Sequence, residues 1–307
     1  MYDAIIVGAR CAGAPTAMRL ARRGYRTLLV DKATFPSDTL STHIVWPHGA
    51  EIMDRWGLLD RLAATGCPPI ARRLVFHVGP FALTGGVTDT NGGRGGFCPR
   101  RTVLDKLLVD AAVEAGADLR EAFTVDALLW AASRFQEIRA DVEGHVRQVL
   151  TSMPTVAERL LGATREEQWF GTAGIPNYFR QPFGPGWALV GDAGYCKDPI
   201  TAQGISDAFL DADGLAAALD EGWSGNRSLD DALAAHQASR DRRVKAMYDF
   251  TCQMALLEPP PQHMQRLFVA LRGNQEATNE FYSALTGSRP LSAFMNPRNL
   301  ERITVSV

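Results

Sequence analysis

The sequence predicts an α/β fold that opens with a βαβ unit, and three observations favour it. Residues 3–7 form a short apolar run, typical of a buried parallel strand, and the run ends at Gly8. Residues 13–23 carry apolar positions on one side and arginines on the other, as an amphipathic helix does. Residues 27–31 are a second apolar run that ends in Asp31. A strand, tight turn, helix and strand in about 30 residues predict a Rossmann-like unit.

The later elements follow from the same periodicities. Residues 33–46 have no periodicity and are predicted to be a loop, and the three prolines at 259–261 are predicted to break a long helix before shorter helices end the chain. Helices are predicted at 47–55, 58–65, 102–115, 134–150, 155–161, 203–221 and 229–254, and strands at 74–78, 117–121, 124–130, 168–173 and 187–190.

Composition limits the class of protein. The 307 residues are 46% hydrophobic and 21% charged, which suits a globular protein with a sizeable core. The net charge of -2 and the lack of a basic tract argue against nucleic acid as a partner. No apolar stretch approaches a membrane span, and the first residues are too short in apolar character for a signal peptide.

The cysteines indicate a reducing compartment. The five are scattered, odd in number and never spaced as C-x-x-C, which argues against a disulfide framework or a zinc site. We therefore expect a cytoplasmic protein. His43 and His48 lie five residues apart without a third ligand in view, so no metal site is predicted.

The turn after the first strand predicts a dinucleotide site. Residues 8–13 read Gly-Ala-Arg-Cys-Ala-Gly, a G-x-G-x-x-G fingerprint whose middle glycine is Arg10. Gly8 permits the sharp turn, Gly13 permits close packing of helix on strand, and the helix N-terminus offers N–H groups to a pyrophosphate. Asp31 stands where a carboxylate accepts hydrogen bonds from ribose hydroxyls. We expect the Arg10 side chain either to swing away from the pyrophosphate or to fold over it.

A second constellation spans residues 191–208. It reads Gly-Asp-Ala-Gly, then Tyr-Cys-Lys-Asp-Pro, and after three residues Gln-Gly-Ile-Ser-Asp-Ala. It resembles the glycine-aspartate motif and following helix of the FAD-dependent monooxygenase and geranylgeranyl-reductase superfamily, of the para-hydroxybenzoate hydroxylase type. Residues 8–13 and 35–43 resemble one branch of that superfamily closely.

The resemblance implies a glutathione-reductase-type FAD-binding domain with an interleaved substrate sheet region and a helical C-terminus. It implies that Asp192 bonds the ribityl chain, that Pro199 lies near the reactive flavin edge, and that Gly204 begins a helix facing the flavin N1–O2 region. A helix N-terminus suits the negative charge that reduced flavin carries there. The implied cofactor-binding residues are Gly8, Ala9, Arg10, Cys11, Ala12, Gly13, Asp31, Lys32, Arg101, Gly191, Asp192, Pro199, Gln203, Gly204 and Ile205.

Three side chains are candidates for a catalytic role. His43 follows the loop expected near the cofactor and is able to act as acid or base, although a histidine bonded within its loop is the commoner situation. Tyr195 and Asp198 flank the expected flavin edge. By the resemblance, residues 1–70, 98–125 and 185–225 form the FAD-binding domain, 71–97 and 126–184 an incomplete substrate-covering region, and 226–307 a helical region.

One motif of the superfamily is absent. The strand followed by Gly-Ala-Asp-Gly, and several strands of the substrate-covering sheet, have no counterpart near a seam at Trp130–Ala131. Either the printed sequence omits a segment or the protein has an internal deletion. A sheet that lost central strands would expose unpaired edges, which favours the omission. An intact mass near 33.4 kDa would exclude it.

The implied function is an NADH- or NADPH-dependent monooxygenase that hydroxylates a small aromatic or polyketide-like molecule through a flavin hydroperoxide. One alternative is a reductase of isoprenoid or other activated double bonds. Another is a degenerate flavin-binding protein without turnover, which a real deletion would explain. A flavin halogenase is less favoured, because the sequence contains no Trp-x-Trp-x-Ile-Pro segment.

Overall fold

The computed structural model describes residues 1–70, 74–79, 81–86, 95–125 and 175–304. Residues 1–125 and 176–307 form one compact unit, to which every element below belongs. The strands are β1 (Ala4–Val7), β2 (Thr27–Val30), β3 (Leu74–Val78), β4 (Phe81–Gly85), β5 (Asp118–Arg120), β6 (Tyr178–Phe179), β7 (Phe183–Gly184), β8 (Trp187–Ala188) and β9 (Tyr195–Cys196). The helices are α1 (Gly13–Ala21), α2 (Pro47–Arg55), α3 (Leu59–Ala64), α4 (Arg101–Glu114), α5 (Gly204–Trp223), α6 (Leu229–Ala255), α7 (Gln262–Leu271), α8 (Gln275–Leu285), α9 (Leu291–Phe294) and α10 (Pro297–Thr304).

The predicted βαβ unit is confirmed, but the expectation of a buried first strand is wrong, because Ile5 and Val7 are 64% and 57% exposed. β1 and β2 pair in parallel with Ala4 opposite Thr27, and α1 makes the crossover between them. β5 joins in parallel on the other side of β2, which gives the order β1-β2-β5. All four residues of β2 are buried, as expected of a strand with neighbours on both sides.

Helices α1, α4 and α5 build the core against this sheet. Ala14, Ala17 and Met18 of α1 are fully buried, and Leu104 of α4 packs in the same apolar cluster. α1 contacts both α4 and α5. The small alanine side chains of α1 let these helices pack closely against one another.

A second apolar cluster joins the β3–β4 hairpin to the C-terminal helices. Phe281 is fully buried, and its ring lies 6.1 Å from that of Phe268 and 5.6 Å from that of Phe294. The Tyr282 hydroxyl donates to the Leu83 carbonyl oxygen at 2.8 Å, which ties α8 to β4. The prediction of a helical C-terminus is confirmed.

Most predicted elements in the described residues are confirmed, with ends that shift by one or two positions. The strand predicted at 187–190 is wrong in length, because only Trp187–Ala188 pairs, with β7. The Leu189 N–H donates to the Pro182 carbonyl oxygen at 2.7 Å, and Val190 then leads into a 3₁₀ turn, Gly191–Ala193. Residues 124–125 of the strand predicted at 124–130 are not in a strand.

Several predictions lie outside the described residues. They are the rest of that strand, the helices at 134–150 and 155–161, the strand at 168–173 and the seam at Trp130–Ala131. Among the helices that are described, none has the length and apolarity needed to cross a membrane.

Candidate functional site

The turn between β1 and α1 has the backbone geometry of a dinucleotide-binding turn. Gly8 has a φ of +98°, and a Cβ on Gly13 would lie 1.8 Å from the Gly8 carbonyl oxygen, so only glycine fits. The N-cap residue of α1 is Ala12, whose side chain cannot accept a hydrogen bond from the N–H groups of the first turn. That turn also holds no acidic residue. The N–H groups and the positive end of the helix dipole therefore suit a pyrophosphate.

Asp31 is locked at the carboxyl end of β2. Its Oδ2 accepts from the Ala9 N–H at 2.7 Å, and its Oδ1 accepts from the Ala33 N–H at 2.8 Å. The residue is only 8% exposed, while neighbouring Lys32 points into solvent. Each carboxylate oxygen keeps a lone pair, so the side chain is able to bind ribose hydroxyls from a fixed position.

Arg10 swings away from the turn, which is the first of the two orientations predicted for it. Its Nη1 lies 2.6 Å from Asp105 Oδ2, and its Nη2 donates to Ser37 Oγ at 3.0 Å. Its guanidinium carbon lies 5.4 Å from the centre of the Phe35 ring. The space in front of the turn is thus left to the backbone N–H groups.

Asp105 is a buried acceptor that joins the turn to α4. Besides Arg10, it binds the Arg101 Nε through its Oδ1 at 3.0 Å. The Cys11 Sγ donates to the same oxygen at 3.4 Å. Burial raises the pKa of the Cys11 thiol, so Cys11 stays protonated and acts as a donor. A fully buried carboxylate is thereby compensated by two cations.

The glycine-aspartate turn lies directly against the first turn of α1. Gly191 has a φ of +60°, and a Cβ there would lie 2.9 Å from the Ala12 Cβ. The Gly191 N–H donates to Asp211 Oδ2 at 2.7 Å, which anchors the turn to α5. The two motifs, about 180 residues apart in sequence, therefore lie next to each other.

Asp192 is exposed to solvent at this junction, and the surrounding protein removes only part of its hydration. Removal of water by that surrounding protein raises the pKa of the Asp192 carboxyl, and the Asp207 charge raises it further. Lys197 and Arg101 act in the opposite direction. The Tyr178 hydroxyl donates to the Asp192 carbonyl oxygen at 2.7 Å and fixes the backbone of the turn.

The space beside Gly204, the first residue of α5, is open. Ala202 adopts a left-handed φ of +54° before the helix, and no heavy atom lies within 4 Å of a Cβ built on Gly204. The Ser206 hydroxyl accepts from the Trp46 N–H at 3.0 Å, which ties the end of the loop at 33–46 to α5.

The other residues predicted around this helix differ in their surroundings. Pro199 is exposed, whereas Ile205 is buried. Gln203 is also buried, and its Nε2 donates to the Leu285 carbonyl oxygen at 2.7 Å. Its side chain is thus directed to α8, and any contact of Gln203 with a cofactor at this helix is through its backbone.

The three predicted catalytic side chains occupy different surroundings. His43 has a left-handed φ of +55°, and its buried Nδ1 has no hydrogen-bond partner within the part of the chain that is described. Asp198 accepts from the Ile200 N–H at 2.9 Å and caps the 3₁₀ turn Pro199–Thr201. Tyr195 is 3% exposed and stacks on Phe179 at 5.3 Å. A catalytic role stays a prediction for each of them.

A buried charged network behind Tyr195 was missed by the sequence analysis. Lys197 forms an ion pair with Asp207 of the first turn of α5, with the two side chains only 4% and 13% exposed. The Lys197 Nζ also donates to the Tyr195 hydroxyl at 3.3 Å. Burial and the Asp207 charge raise the pKa of Tyr195 well above its usual value, so its phenol is neutral.

Asp211 and Arg240 are further buried charged residues near Tyr195. The Asp211 Oδ1 lies 3.2 Å from His236 Nε2, and both side chains are buried. Arg240 is fully buried, and its guanidinium carbon lies 5.7 Å from the centre of the Tyr195 ring. The spacing of Asp207 and Asp211 by four residues, on one face of α5, was the available sequence signal.

Comparisons with solved structures identify the fold. The myxobacterial chondrochloren halogenase CndH, a FAD-dependent halogenase, superposes with a TM-score of 0.72 at 20% identity, covering 99% of this chain and 95% of that one. A flavoprotein/dehydrogenase from Cytophaga hutchinsonii gives 0.74 at 15% identity, with 99% and 98% covered. PqsL, a probable FAD-dependent monooxygenase from Pseudomonas aeruginosa, gives 0.65 at 18%, with 84% and 96% covered. At these identities the likeness shows the fold.

A curated relative matches a shorter part. Conditioned medium factor receptor 1 from Dictyostelium discoideum is 28% identical over 144 residues, which are 41% of this chain and 26% of that protein. The match thus spans about a quarter of the relative's length.

The family follows from the half of the chain that holds the fingerprint turn. Residues 1–153 match the family model described as FAD binding domain. That segment contains Asp31, Arg101 and the glycine turn, whose geometry fits an adenine dinucleotide. Residues 1–153 therefore belong to the FAD-binding domain family, and the chain shares the fold of FAD-dependent halogenases and monooxygenases.

Proposed function

We propose that this protein is a monooxygenase that takes electrons from NADH or NADPH and hydroxylates a small aromatic or polyketide-like molecule. The observation that supports the proposal most is the close approach of Gly191 to Ala12, which brings the two predicted cofactor motifs together. A dinucleotide bound to the N-terminal turn is then able to extend to Asp192 and to the N-terminus of α5.

The substrate class is supported by a similar protein. A structure of Pseudomonas aeruginosa PqsL in complex with 2-aminobenzoylacetate superposes with a TM-score of 0.60 at 19% identity. That ligand is an aromatic keto acid, and the size and chemistry agree with the class proposed for this chain. Acidic clusters and basic tracts that would indicate a polymeric substrate are absent from the sequence.

The residues of the chain would bind, orient and shield the cofactor. Bound FAD would accept a hydride from the nicotinamide and supply the electrons for oxygen activation. The free N–H groups at the start of α5 would stabilise negative charge on the ring, and Asp192 would orient the ribityl chain. His43, whose buried Nδ1 has no hydrogen-bond partner among the described residues, is the side chain we propose to move a proton.

A halogenase is the second candidate, because CndH and the flavin-dependent brominase Bmp2 share the fold, the latter with a TM-score of 0.69 at 14% identity. The missing Trp-x-Trp-x-Ile-Pro segment argues against it. Reduction of an activated double bond and flavin binding without turnover are further alternatives.

One assay separates these reactions. Purified protein with FAD is supplied with NADH or NADPH, oxygen and a panel of aromatic acids, with and without bromide or chloride. We expect ligand-stimulated, oxygen-dependent consumption of the nicotinamide and a product heavier by one oxygen atom. A halogenated product, or saturation of an alkene without oxygen, would replace the proposal. Flavin that neither nucleotide reduces with any ligand, and that converts no ligand after reduction by dithionite, would leave only the non-catalytic alternative.

A further inference from the structure

Arg10 replaces the middle glycine of the fingerprint and reaches across to two other parts of the chain. Its Nη1 binds Asp105 of α4 at 2.6 Å, and its Nη2 binds Ser37 Oγ at 3.0 Å. The guanidinium also lies over the Phe35 ring, and it donates to the carbonyl oxygens of Ser37 and Asp38 at 3.4 Å each. The planar guanidinium group of Arg10 thus connects the turn to α4 and to residues 35–38.

Residues 33–38 run along the edge where the dinucleotide site lies. They leave the end of β2 at Asp31, whose Oδ1 accepts from the Ala33 N–H at 2.8 Å. They reach Arg10 beyond the end of β1. In sheets of this kind a dinucleotide binds across the carboxyl ends of adjacent parallel strands. The segment therefore borders both the ribose and the pyrophosphate ends of the site.

Contacts of different strength hold residues 33–38 in place. Asp38 and Arg100 pair at 2.6 Å, but their side chains are 40% and 67% exposed, so solvent weakens the pair. The Arg10–Asp105 pair has a fully buried carboxylate and a guanidinium that is 27% exposed. Asp105 thus holds the Arg10 guanidinium in place to donate charge-assisted hydrogen bonds to Ser37 and Asp38, and the Phe35 N–H adds a bond to Glu121 Oε1 at 2.8 Å.

We propose that Arg10 is a positioning residue that fastens residues 35–38 along the dinucleotide site and so slows the escape of FAD. A guanidinium at this position retains the cofactor through the neighbouring loop, whereas the usual glycine only makes room for it. The inference rests on FAD binding and is independent of whether the proposed hydroxylation occurs.

The test is the rate at which FAD leaves the holoprotein, followed by the recovery of flavin fluorescence after dilution. Arg10→Gly restores the standard fingerprint, so the motif alone predicts unchanged or slower release. The structure predicts release about tenfold faster, because the charge-assisted bonds are lost. Arg10→Lys should give an intermediate rate, since a single ammonium cannot span Asp105 and Ser37 together.

Two further variants control for general damage. Arg61→Gln removes a two-bond ion pair with Glu114, at 2.7 and 2.9 Å, that is remote from the turn, and should leave the release rate unchanged. Ser37→Ala removes only the hydroxyl that Arg10 binds, and should speed release by a smaller factor than Arg10→Gly. Limited proteolysis should also cut residues 35–43 faster in both Arg10→Gly and Ser37→Ala than in the parent.

Each result decides the matter. Unchanged or slower release from Arg10→Gly would overturn the inference while leaving FAD binding intact. If Arg10→Gly does not fold, an unchanged rate in Ser37→Ala together with unchanged proteolysis would overturn it. A parent protein that binds no FAD would overturn the FAD assignment itself, and with it both proposals.

Discussion

Four carboxylates at the site differ in how their negative charge is balanced. Asp31 is held by two backbone N–H groups, and Asp105 by two arginines. Asp211 accepts from the Gly191 N–H and lies beside His236. Asp192 has no comparable side-chain partner among the described residues, and the surrounding protein raises its pKa. A carboxylate without a protein partner and with a raised pKa is expected where the side chain binds the hydroxyls of a ligand.

Replacement of Asp192 should therefore separate stability from binding. Asp192→Asn removes a charge that the folded protein disfavours, so the free energy of unfolding without FAD should stay equal or rise at pH 7. Because the raised pKa makes the carboxyl destabilising as pH rises above the usual Asp value, the gain should vanish in acid. FAD affinity should fall about 10- to 100-fold, as loss of a hydrogen bond to a charged group implies.

Titration of FAD into both proteins, with denaturant unfolding of the same samples, checks this prediction. The matched control is Asp230→Asn, which changes an exposed acid on α6. It should change neither the FAD affinity nor the pH dependence of the unfolding free energy. Undiminished FAD affinity in Asp192→Asn would remove Asp192 from the site.

His48 should make the protein sensitive to acid. Burial lowers the pKa of His48 below its usual 6.5, with Lys197 and Arg243 adding to this and Asp207 opposing it. The neutral ring donates from Nδ1 to the Thr286 carbonyl oxygen at 3.0 Å. Since the unfolded chain binds the proton more readily, the stabilisation is present above pH 6.5 and is lost as pH falls through the lowered pKa.

Unfolding free energies of the parent and of His48→Gln, measured between pH 7.5 and 5, test this effect. The parent should lose more stability toward acid than the variant, whose amide does not titrate. His263→Gln changes an exposed histidine and should retain the parental slope. Equal slopes for the parent and His48→Gln would contradict the prediction.

At the scale of elements, two glycines of the site are constrained in different ways. Gly191 combines a φ of +60° with a close approach to Ala12, so Gly191→Ala should destabilise the protein by about 1–3 kcal/mol and weaken FAD binding. Gly204 has open space around it, so Gly204→Ala should leave stability unchanged or slightly raised. FAD affinity should still fall, because the added methyl would face the bound ring.

Thermal unfolding and FAD titration of the two variants provide the comparison. Equal loss of stability in both would mean that Gly204 is constrained by the protein rather than by the cofactor. Full FAD affinity in Gly204→Ala would mean that the α5 N-terminus does not approach the ring.

Ion pairing behind the site gives the second prediction at this scale. Lys197→Met leaves Asp207 buried and unpaired, which should cost about 3–5 kcal/mol of stability. The double variant with Asp207→Leu removes both charges and should recover most of that loss. A double-mutant cycle measured by denaturant unfolding checks it, and additive losses in the double variant would contradict it.

For the whole molecule, the sequence predicted the parts whose signals are local. The glycine turn, Asp31 and the helices α1, α4, α5 and α6 follow from periodicity and from residues adjacent in the chain. The orientation of Arg10 did not, because it depends on Asp105, 95 positions away. The Lys197–Asp207 pair was missed for a similar reason, since a lysine after a short strand normally lies in solvent.

The strand predicted at 187–190 shows the same limit. Its four apolar residues suit a strand, but Leu189 bonds Pro182 and Val190 enters the turn of the site. The requirement that Gly191 meet Ala12 thus decides the local structure, and that requirement is set by the tertiary fold.

The central claim is that one dinucleotide lies across the turn at Gly8–Gly13 and extends to Gly191 and Asp192. A structure of the protein with FAD bound tests it most directly. We predict the diphosphate at the N–H groups of α1, the ribose on Asp31, and the isoalloxazine ring at the N-terminus of α5. A diphosphate elsewhere on the protein, or a ring directed away from Asp192, would contradict the account.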